Sequence, residues 1–469
     1  MVLPDFQNKT VTLLGAGVSN MPLAGYLVAK GANVSARDKK NESDLGEDAR
    51  KLREMGVSLI CGENYLEDIR EEYVFRSPGF RPDITALLTA REKGSVITSE
   101  MELFLDNRPC PVIGITGSDG KTTTTTLISE ILTKAFDAQG HKVFLGGNIG
   151  KPMLYRIEEM SENDIAVVEL SSFQLMTADS APDVAVITNI TPNHLNWHTD
   201  MDEYIRAKAK ILCGCSRAVL NYENEITRDL ARTAACPVTL FSHNYIPDEE
   251  LREGDSAVYE KNGVIVFRAR GEEEFPILTV SDILLPGRHN VENYMAAIAA
   301  VRGYAGPEEI TEVAKTFRGV RHRLELVREL GGVAYYNGSI DSSPTRTAAA
   351  LSAMGNRALV LICGGYDKQI PFAPLADALL SRDNIHDLVL TGATAQKIEA
   401  ALTEHPAFGS RSFEIHREAD FTEAVLLASR CARSGDAVLL SPACASFDAF
   451  ANFEKRGDRF CEIVRSLSK

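Results

Sequence analysis

Residues 110–127 read "CPVIGITGSDGKTTTTTL". An apolar, β-branched run over 112–116 enters a glycine-containing turn. The turn ends in Gly120-Lys121, and a threonine-rich helical segment follows. Strand, turn, Gly-Lys-Thr and helix in this order form a phosphate grip. Gly117 and Gly120 let the backbone aim N–H groups at an anion. The helix adds partial positive charge at its N-terminus. In such a grip Lys121 reaches the β- and γ-phosphates of a nucleotide and the Thr122 hydroxyl reaches Mg²⁺. The loop is a shortened one: the usual pattern asks for glycine where Ile115 stands.

Outward from the grip, the chain alternates strand-like and helical runs. Before it, "TVTLLGAGVSNMPLAGYLVAKGANVSARD" reads as a βαβ unit whose second strand ends at Asp38. Its glycines resemble a dinucleotide fingerprint, with Asp38 about 20 residues on, where a ribose-binding acid would sit. Asn20 stands in place of the third glycine, and the pattern by itself reads more readily as a plain parallel sheet with tight turns. After the grip come "KVFLGGN", "DIAVVELSSFQ", "DVAVITNITPNHL" and "RAVLNYEN", then an expected antiparallel insertion at "KNGVIVFRARGEEEFPILTV". The last segment repeats the alternation with "VAYYNGS", "ALVLICGG", "DLVLTG" and "DAVLLSPA". Polar, proline-bearing or charged stretches at 106–111 and 317–325 mark boundaries. The fold class is α/β in three domains. These are a Rossmann-like N-terminal domain over 1–108, a P-loop-like central ATPase domain over 109–318 and a Rossmann-like C-terminal domain over 319–469.

Composition narrows the function classes. The 469 residues carry a formal net charge of −15, which disfavours a general nucleic-acid binder. It leaves anionic small substrates open, because a local nest and one lysine bind phosphate inside an acidic protein. No apolar run is long enough for a membrane span, and the N-terminus lacks the order of a signal peptide. The nine scattered cysteines read as reduced cytosolic thiols, not a disulfide framework or a zinc site. A cytoplasmic monomer is expected.

The grip needs a metal partner set. Mg²⁺ takes hard oxygen ligands, and Glu169 at the end of "AVVEL" is a carboxylate where α/β sheets expose ligands. "NITPNHL" leads into His194, and "AKAKIL" carries Lys208 and Lys210. Taken singly, His194 is an ordinary packed histidine and the lysines a solvated face. Strand ends converging on one sheet edge favour the ligand reading.

The ordered set "TGSDGKTTT", "GGNIG", "ELSSFQL", "NITPNHL", "AKAKIL", "GRHNVEN", "GVRHRLE" and "SPACASFDAFANFEKRGDRF" resembles the Mur ligases of peptidoglycan synthesis, over all three segments. "ELSSFQL" and the closing motif resemble the D-glutamate-adding branch. The resemblance implies that the shortened loop, Gly117, Ser118, Asp119, Gly120, Lys121, Thr122 and Thr123, holds ATP. It implies Thr122 and Glu169 on a first Mg²⁺, and His194 and a carbamylated Lys208 on a second, with Lys121, Glu169, His194 and Lys208 as the catalytic set. Asn290 and Asn293 match an adenine-side motif, and Arg323 matches an arginine that meets the ATP phosphates. UDP-N-acetylmuramoyl-L-alanine and D-glutamate are the implied partners. Val18, Ser19, Asp38, Lys40, Gly79 and Asn148 match the sugar-nucleotide side, and Lys368, Ser446 and Phe453 match the D-glutamate pocket. The implied reaction phosphorylates a carboxylate and lets an amine displace phosphate, so a uridine nucleotide displaces the dinucleotide reading of the first turn. A NAD-dependent oxidoreductase, a degenerate nucleotide-binding scaffold, a sister ligase and a folylpolyglutamate-synthase-like enzyme are the competing readings.

The chain departs from that family pattern at Asn20, at Asn196, where the family often has aspartate, and at "NGSIDSS" over 337–343, where the family often reads Asn-Asp-Ser-Lys-Ala-Thr. A missing carboxylate at 196 would weaken local metal or water ordering. Gly338 and Ile340 replace the acid and the lysine, and Asp341 is expected to take over a nucleotide contact.

Overall fold

The computed structural model describes residues 3–16, 20–137, 139–195 and 197–468. Among the described residues, twenty strands form three sheets. The first holds β1 (Thr10–Leu14), β2 (Asn33–Asp38), β3 (Ser58–Cys61), β4 (Tyr73–Arg76) and β5 (Val96–Thr98), all parallel, in the order β3-β2-β1-β4-β5. The chain runs outward in both directions from β1, which puts a topological switch point between β1 and β4. In open α/β sheets, ligands bind outside the carboxyl ends of strands at such a point.

The second sheet holds β6 (Val112–Thr116), β7 (Val143–Gly147), β8 (Ile165–Glu169), β9 (Val184–Ile187), β10 (Arg217–Asn221), β11 (Val238–Ser242), β12 (Ser256–Lys261), β13 (Val264–Ala269) and β14 (Phe275–Thr279). Its order is β14-β13-β12-β11-β10-β9-β6-β8-β7. The strands from β7 across to β12 are parallel, whereas β13 and β14 are antiparallel additions. The expected antiparallel insertion is this edge. The third sheet holds β15 (Glu325–Leu330), β16 (Val333–Asn337), β17 (Leu359–Gly364), β18 (Ile385–Thr391), β19 (Glu414–Arg417) and β20 (Ala437–Leu440), in the order β15-β16-β20-β17-β18-β19. Only its β15–β16 pair is antiparallel.

By contacts the chain forms two compact units: Met1–Asp282 with Val291–Val313, and Ile283–Asn290 with Ala314–Lys469. The first unit contains the first two sheets. All five residues of β6 are buried, as a strand flanked by two others and covered on both faces requires. Gly114 gives that strand its fit, since a Cβ there would stand 2.7 Å from the Pro182 ring. The helix Lys121–Asp137 opens with five threonines, which are poor helix formers. Its formation is therefore decided by tertiary packing: Leu127, Ile128, Ile131, Leu132 and Ala135 are buried along one face. Thr125 and Thr126 return their hydroxyls to the carbonyls of Lys121 and Thr122, each at 2.8 Å.

Candidate functional site

In the first unit, the grip leaves the end of β6 and enters the helix at Lys121. Gly117 has φ +150° and Gly120 φ +78°, both within the left-handed half of conformational space that favours glycine. A Cβ on Gly117 would lie 1.9 Å from the Thr188 hydroxyl, and one on Gly120 2.5 Å from Asn293 Oδ1. The cradle is thus closed from behind by side chains of the first unit. The Ser118 hydroxyl is turned inward, bonded to Thr191 O and to the Tyr204 hydroxyl, both at 2.9 Å. The Asp119 N–H donates to Asn189 Oδ1 at 2.9 Å. The serine and the Asn189 loop therefore shape the turn. Thr123 occupies the first turn of the helix and is half-buried. Asn293 is buried and accepts from the Thr124 hydroxyl at 3.3 Å.

Lys121 Nζ donates to Gly117 O and Ser118 O, each at 2.9 Å. Its ammonium thus lies over the loop that a phosphate would enter. Glu169, buried at the end of β8, is held at both oxygens: Thr122 Oγ1 donates to Oε2 and Asn148 Nδ2 to Oε1, each at 2.8 Å. The backbone that brings Asn148 there tolerates only glycine, since a Cβ on Gly147 (φ +95°) would meet Glu169 O at 2.2 Å. A hydroxyl and a carboxylate side by side below a lysine-capped anion cradle are hard oxygen donors suited to Mg²⁺. These residues fit a metal-bound nucleotide phosphate.

Lys208 is 2 % exposed, against a half-buried Lys210. Its Nζ donates to Gly117 O at 2.7 Å and to Thr116 Oγ1 at 3.2 Å, and it lies 4.8 Å from the Tyr204 ring centroid. Burial first, and then the Lys121 ammonium, push its pKa well below the ordinary lysine value. His194 takes φ +55° and sets its ring edge-on to Phe173, 5.0 Å between centroids. Partial desolvation first, then Lys121 and Lys208, lower its pKa. The grip, Glu169, Asn148, Lys208 and His194 therefore gather at one edge of the second sheet. Asn196 lies outside the described residues.

On the first sheet, Asp38 caps the turn after β1: its Oδ2 accepts from Ala16 N at 3.0 Å and its Oδ1 from Lys40 N at 2.9 Å. Lys40 itself is exposed. Asn20 donates to Gly15 O at 2.7 Å and to Ser77 Oγ at 3.0 Å, so the residue that breaks the glycine pattern ties the β1 turn to the β4 turn. Gly79 accepts from Trp197 Nε1 at 3.2 Å. Val18 and Ser19 lie outside the described residues.

The sequence reading missed a network that joins these two sheets. Arg81 Nη2 donates to Glu203 Oε1 at 2.9 Å and Nη1 to Trp197 O at 2.8 Å. Glu203 also faces His198 Nδ1 at 3.1 Å, and His198 Nε2 meets Ser172 Oγ at 2.9 Å. The Arg81 hydrogen bonds pull the Glu203 pKa down to about 2. The network fixes the loop bearing His194 through groups far apart in sequence. The only signal available beforehand was that His198 follows "NHLNW".

In the second unit, Asn290 Nδ2 bonds its own turn at Pro286 O, 2.7 Å away. Arg323 is exposed. Lys368 is exposed and donates to Ser342 Oγ at 3.2 Å. Ser446 is buried, its carbonyl accepting from Phe450 N at 2.8 Å. Phe453 opens the helix Phe453–Ser466 and sets its ring at 6.0 Å from His322. Lys368 and the 337–343 loop are thus neighbours, and Ser446 and Phe453 flank the start of the last helix. In that loop, a Cβ on Gly338 would stand 2.7 Å from Asp341 Oδ2. The Asp341 carboxylate, bonded by Ser441 Oγ at 2.8 Å, fills the space that a side chain at 338 would take. Burial raises its pKa to about 6.

Two family models match the chain: the Mur ligase middle domain over residues 115–301, and the Mur ligase glutamate ligase domain over 322–444. A UDP-N-acetylmuramoylalanine--D-glutamate ligase of Acetivibrio thermocellus is 46% identical over 476 residues, covering 99% of both chains. The protein of the same name from Clostridium novyi is 47% identical, over 99% of this chain and 98% of its own. Among solved structures, a UDP-N-acetylmuramate-alanine ligase of Thermotoga maritima aligns with a TM-score of 0.55 at 19% identity, covering 98% of this chain and all of that one, a likeness of fold. Identity at this level along the whole length, with both family models falling on the second and third sheets, means that the chain belongs to the Mur ligase family, in the branch of the D-glutamate ligases.

Proposed function

We propose that this protein is an ATP-dependent amide ligase that adds D-glutamate to UDP-N-acetylmuramoyl-L-alanine, in the cytoplasmic synthesis of peptidoglycan precursors. Its near full-length kinship with ligases of that name carries the reading. The three sheets then serve three domains, over 1–108, 109–318 and 319–469, for the sugar nucleotide, ATP and the amino acid.

A carboxylate is a poor electrophile because oxide is a poor leaving group. Taking the γ-phosphoryl of ATP makes it an acyl phosphate. The amine of D-glutamate then attacks the acyl carbon, the tetrahedral intermediate expels phosphate, and an amide remains. Two Mg²⁺ ions would supply charge neutralisation when bound. Thr122 and Glu169 would hold the first, and His194 with Lys208 the second. Lys121 exchanges its loop carbonyls for the β- and γ-phosphates, and its charge stabilises the one developing between carboxylate and phosphoryl group. Asn148 anchors Glu169 from the side opposite Thr122.

An ammonium cannot ligate a metal, so Lys208 acts as its carbamate. The neutral amine is the form that takes up carbon dioxide, and burial favours it. The carbamate nitrogen keeps one N–H, which suits the acceptor already present at Gly117 O. Asn290 and Asn293 serve the adenine and Arg323 the phosphates. Val18, Ser19, Asp38, Lys40 and Gly79 serve the uridine nucleotide. Lys368, Ser446 and Phe453 give D-glutamate a cation, a hydroxyl and an apolar wall. Asp341 takes the place of the acid the family often has at 338, because its carboxylate occupies that space.

The test is phosphate release from ATP with Mg²⁺ and UDP-N-acetylmuramoyl-L-alanine across D-glutamate, L-glutamate, L-lysine, meso-diaminopimelate and L-alanine. Release that needs both the sugar nucleotide and D-glutamate is expected. Release with another amino acid in its place overturns the specificity, and none with any pairing overturns the activity.

A further inference from the structure

Cys215 and Cys236 each stand two residues before a strand, β10 and β11, which are parallel neighbours. Their sulfurs are 3.4 Å apart. Cys215 is 6 % exposed and packs in the core of the first unit, and Cys236 is half-buried against the same core. A disulfide needs its sulfurs at about 2.05 Å and its Cβ atoms at about 3.8 Å. Two thiols already in van der Waals contact at the mouths of paired strands are placed to form that bond.

We propose that Cys215 and Cys236 are an oxidative modification site: in the presence of a low-molecular-weight disulfide they close an intramolecular cross-link between the entries of β10 and β11. The Cys236 thiolate attacks the small disulfide, forms a mixed disulfide and releases one small thiolate. The Cys215 thiolate then attacks the Cys236 sulfur and expels the second. Two protein thiols are oxidised, one small disulfide is reduced to two thiols, and the two protein protons pass to those thiolates. The half-buried Cys236 is the point of entry. Cys215 is shielded, and burial pushes its thiol above the ordinary cysteine value. The link closes a loop containing the helix Glu225–Thr233. It sits at the amino ends of parallel strands, whereas the phosphate grip lies at the carboxyl end of β6 in the same sheet. The cross-link therefore staples the sheet edge remote from the nucleotide.

The test incubates the full chain with glutathione disulfide, blocks free thiols and digests with trypsin without reduction. The expected product joins the peptide 211–217 to the peptide 233–252, and the thiol titre in denaturant falls by two. Peptide 211–217 also contains the exposed Cys213, so tandem mass spectrometry must place the bond on Cys215. Cys213→Ala is expected to keep the cross-link and Cys215→Ala to lose it. An unchanged titre, glutathione adducts without a cross-link, or a bond to Cys213 overturns the proposal, and the wild-type spectrum decides this even if a variant folds poorly.

Discussion

Glu169→Gln separates the shape of the proposed nucleotide site from its charge. The carboxylate is buried and each oxygen receives one hydrogen bond, from Thr122 Oγ1 and from Asn148 Nδ2, both at 2.8 Å. Glutamine has the same volume but presents one oxygen and one NH₂. Both partners can adapt: the threonine hydroxyl rotates to accept, or the asparagine amide turns its oxygen inward. The fold should then lose no more than about 1 kcal/mol, a shift in thermal midpoint of about 4 °C or less. The charge has no such substitute. A unit charge about 4 Å from another at an effective dielectric of 20 is worth about 4 kcal/mol, and deleting one preorganised electrostatic partner typically costs about 100- to 1000-fold in rate. The assay is phosphate release with both substrates across a Mg²⁺ titration, with thermal unfolding measured on the same sample. A loss of at least about 100-fold with a midpoint near wild type is expected. A rate within threefold of wild type at every Mg²⁺ concentration would refute the metal-ligand assignment, and a midpoint lowered by about 10 °C would refute the interchange of donors.

Lys208→Ala should lose at least about 100-fold in rate, with partial recovery on adding short-chain carboxylic acids that supply the missing oxygens. Full activity, or loss without rescue, counts against the carbamate. Asp341 has its pKa raised by burial to about 6, so its ionisation weakens the native state. Its favourable contribution is complete below the unfolded value near 3.8 and is lost as pH rises through about 6. The thermal midpoint of wild type should therefore fall relative to Asp341→Asn between pH 4 and 7, and parallel curves would refute this. Glu203 is the opposite case, lowered to about 2 by Arg81. Its contribution is present above about 4.5 and disappears as pH falls toward 2, so Glu203→Gln should be less stable than wild type at pH 6 and equal to it near pH 2. A gap that does not narrow would show that Arg81 is not what holds Glu203.

How much of this was legible in advance differs residue by residue. The grip is a local feature: the β-branched run, the two glycines and Lys121-Thr122 are contiguous, and their physics is that of a strand, a turn and a helix start. Asn20 and "NGSIDSS" were visible only as irregularities. Asn20 is a cross-link between two turns, made through Ser77. Gly338 and Asp341 are a single feature, because one residue's missing Cβ makes room for the other's carboxylate.

The amino-acid sequence by itself determined the α/β class and the glycine–lysine–threonine turn, which rest on contiguous residues whose chemistry is local, and its ordered motifs carried the family resemblance from which the proposed roles of Glu169, His194 and Lys208 follow. Tertiary structure decided what those residues face: the inward turn of Ser118, the two-sided anchoring of Glu169, the burial of Lys208 over Lys210, and the Arg81–Glu203–His198–Ser172 chain. Those outcomes depend on distances between segments tens to more than a hundred residues apart. Strand order and sheet register set such distances, and no local pattern encodes them.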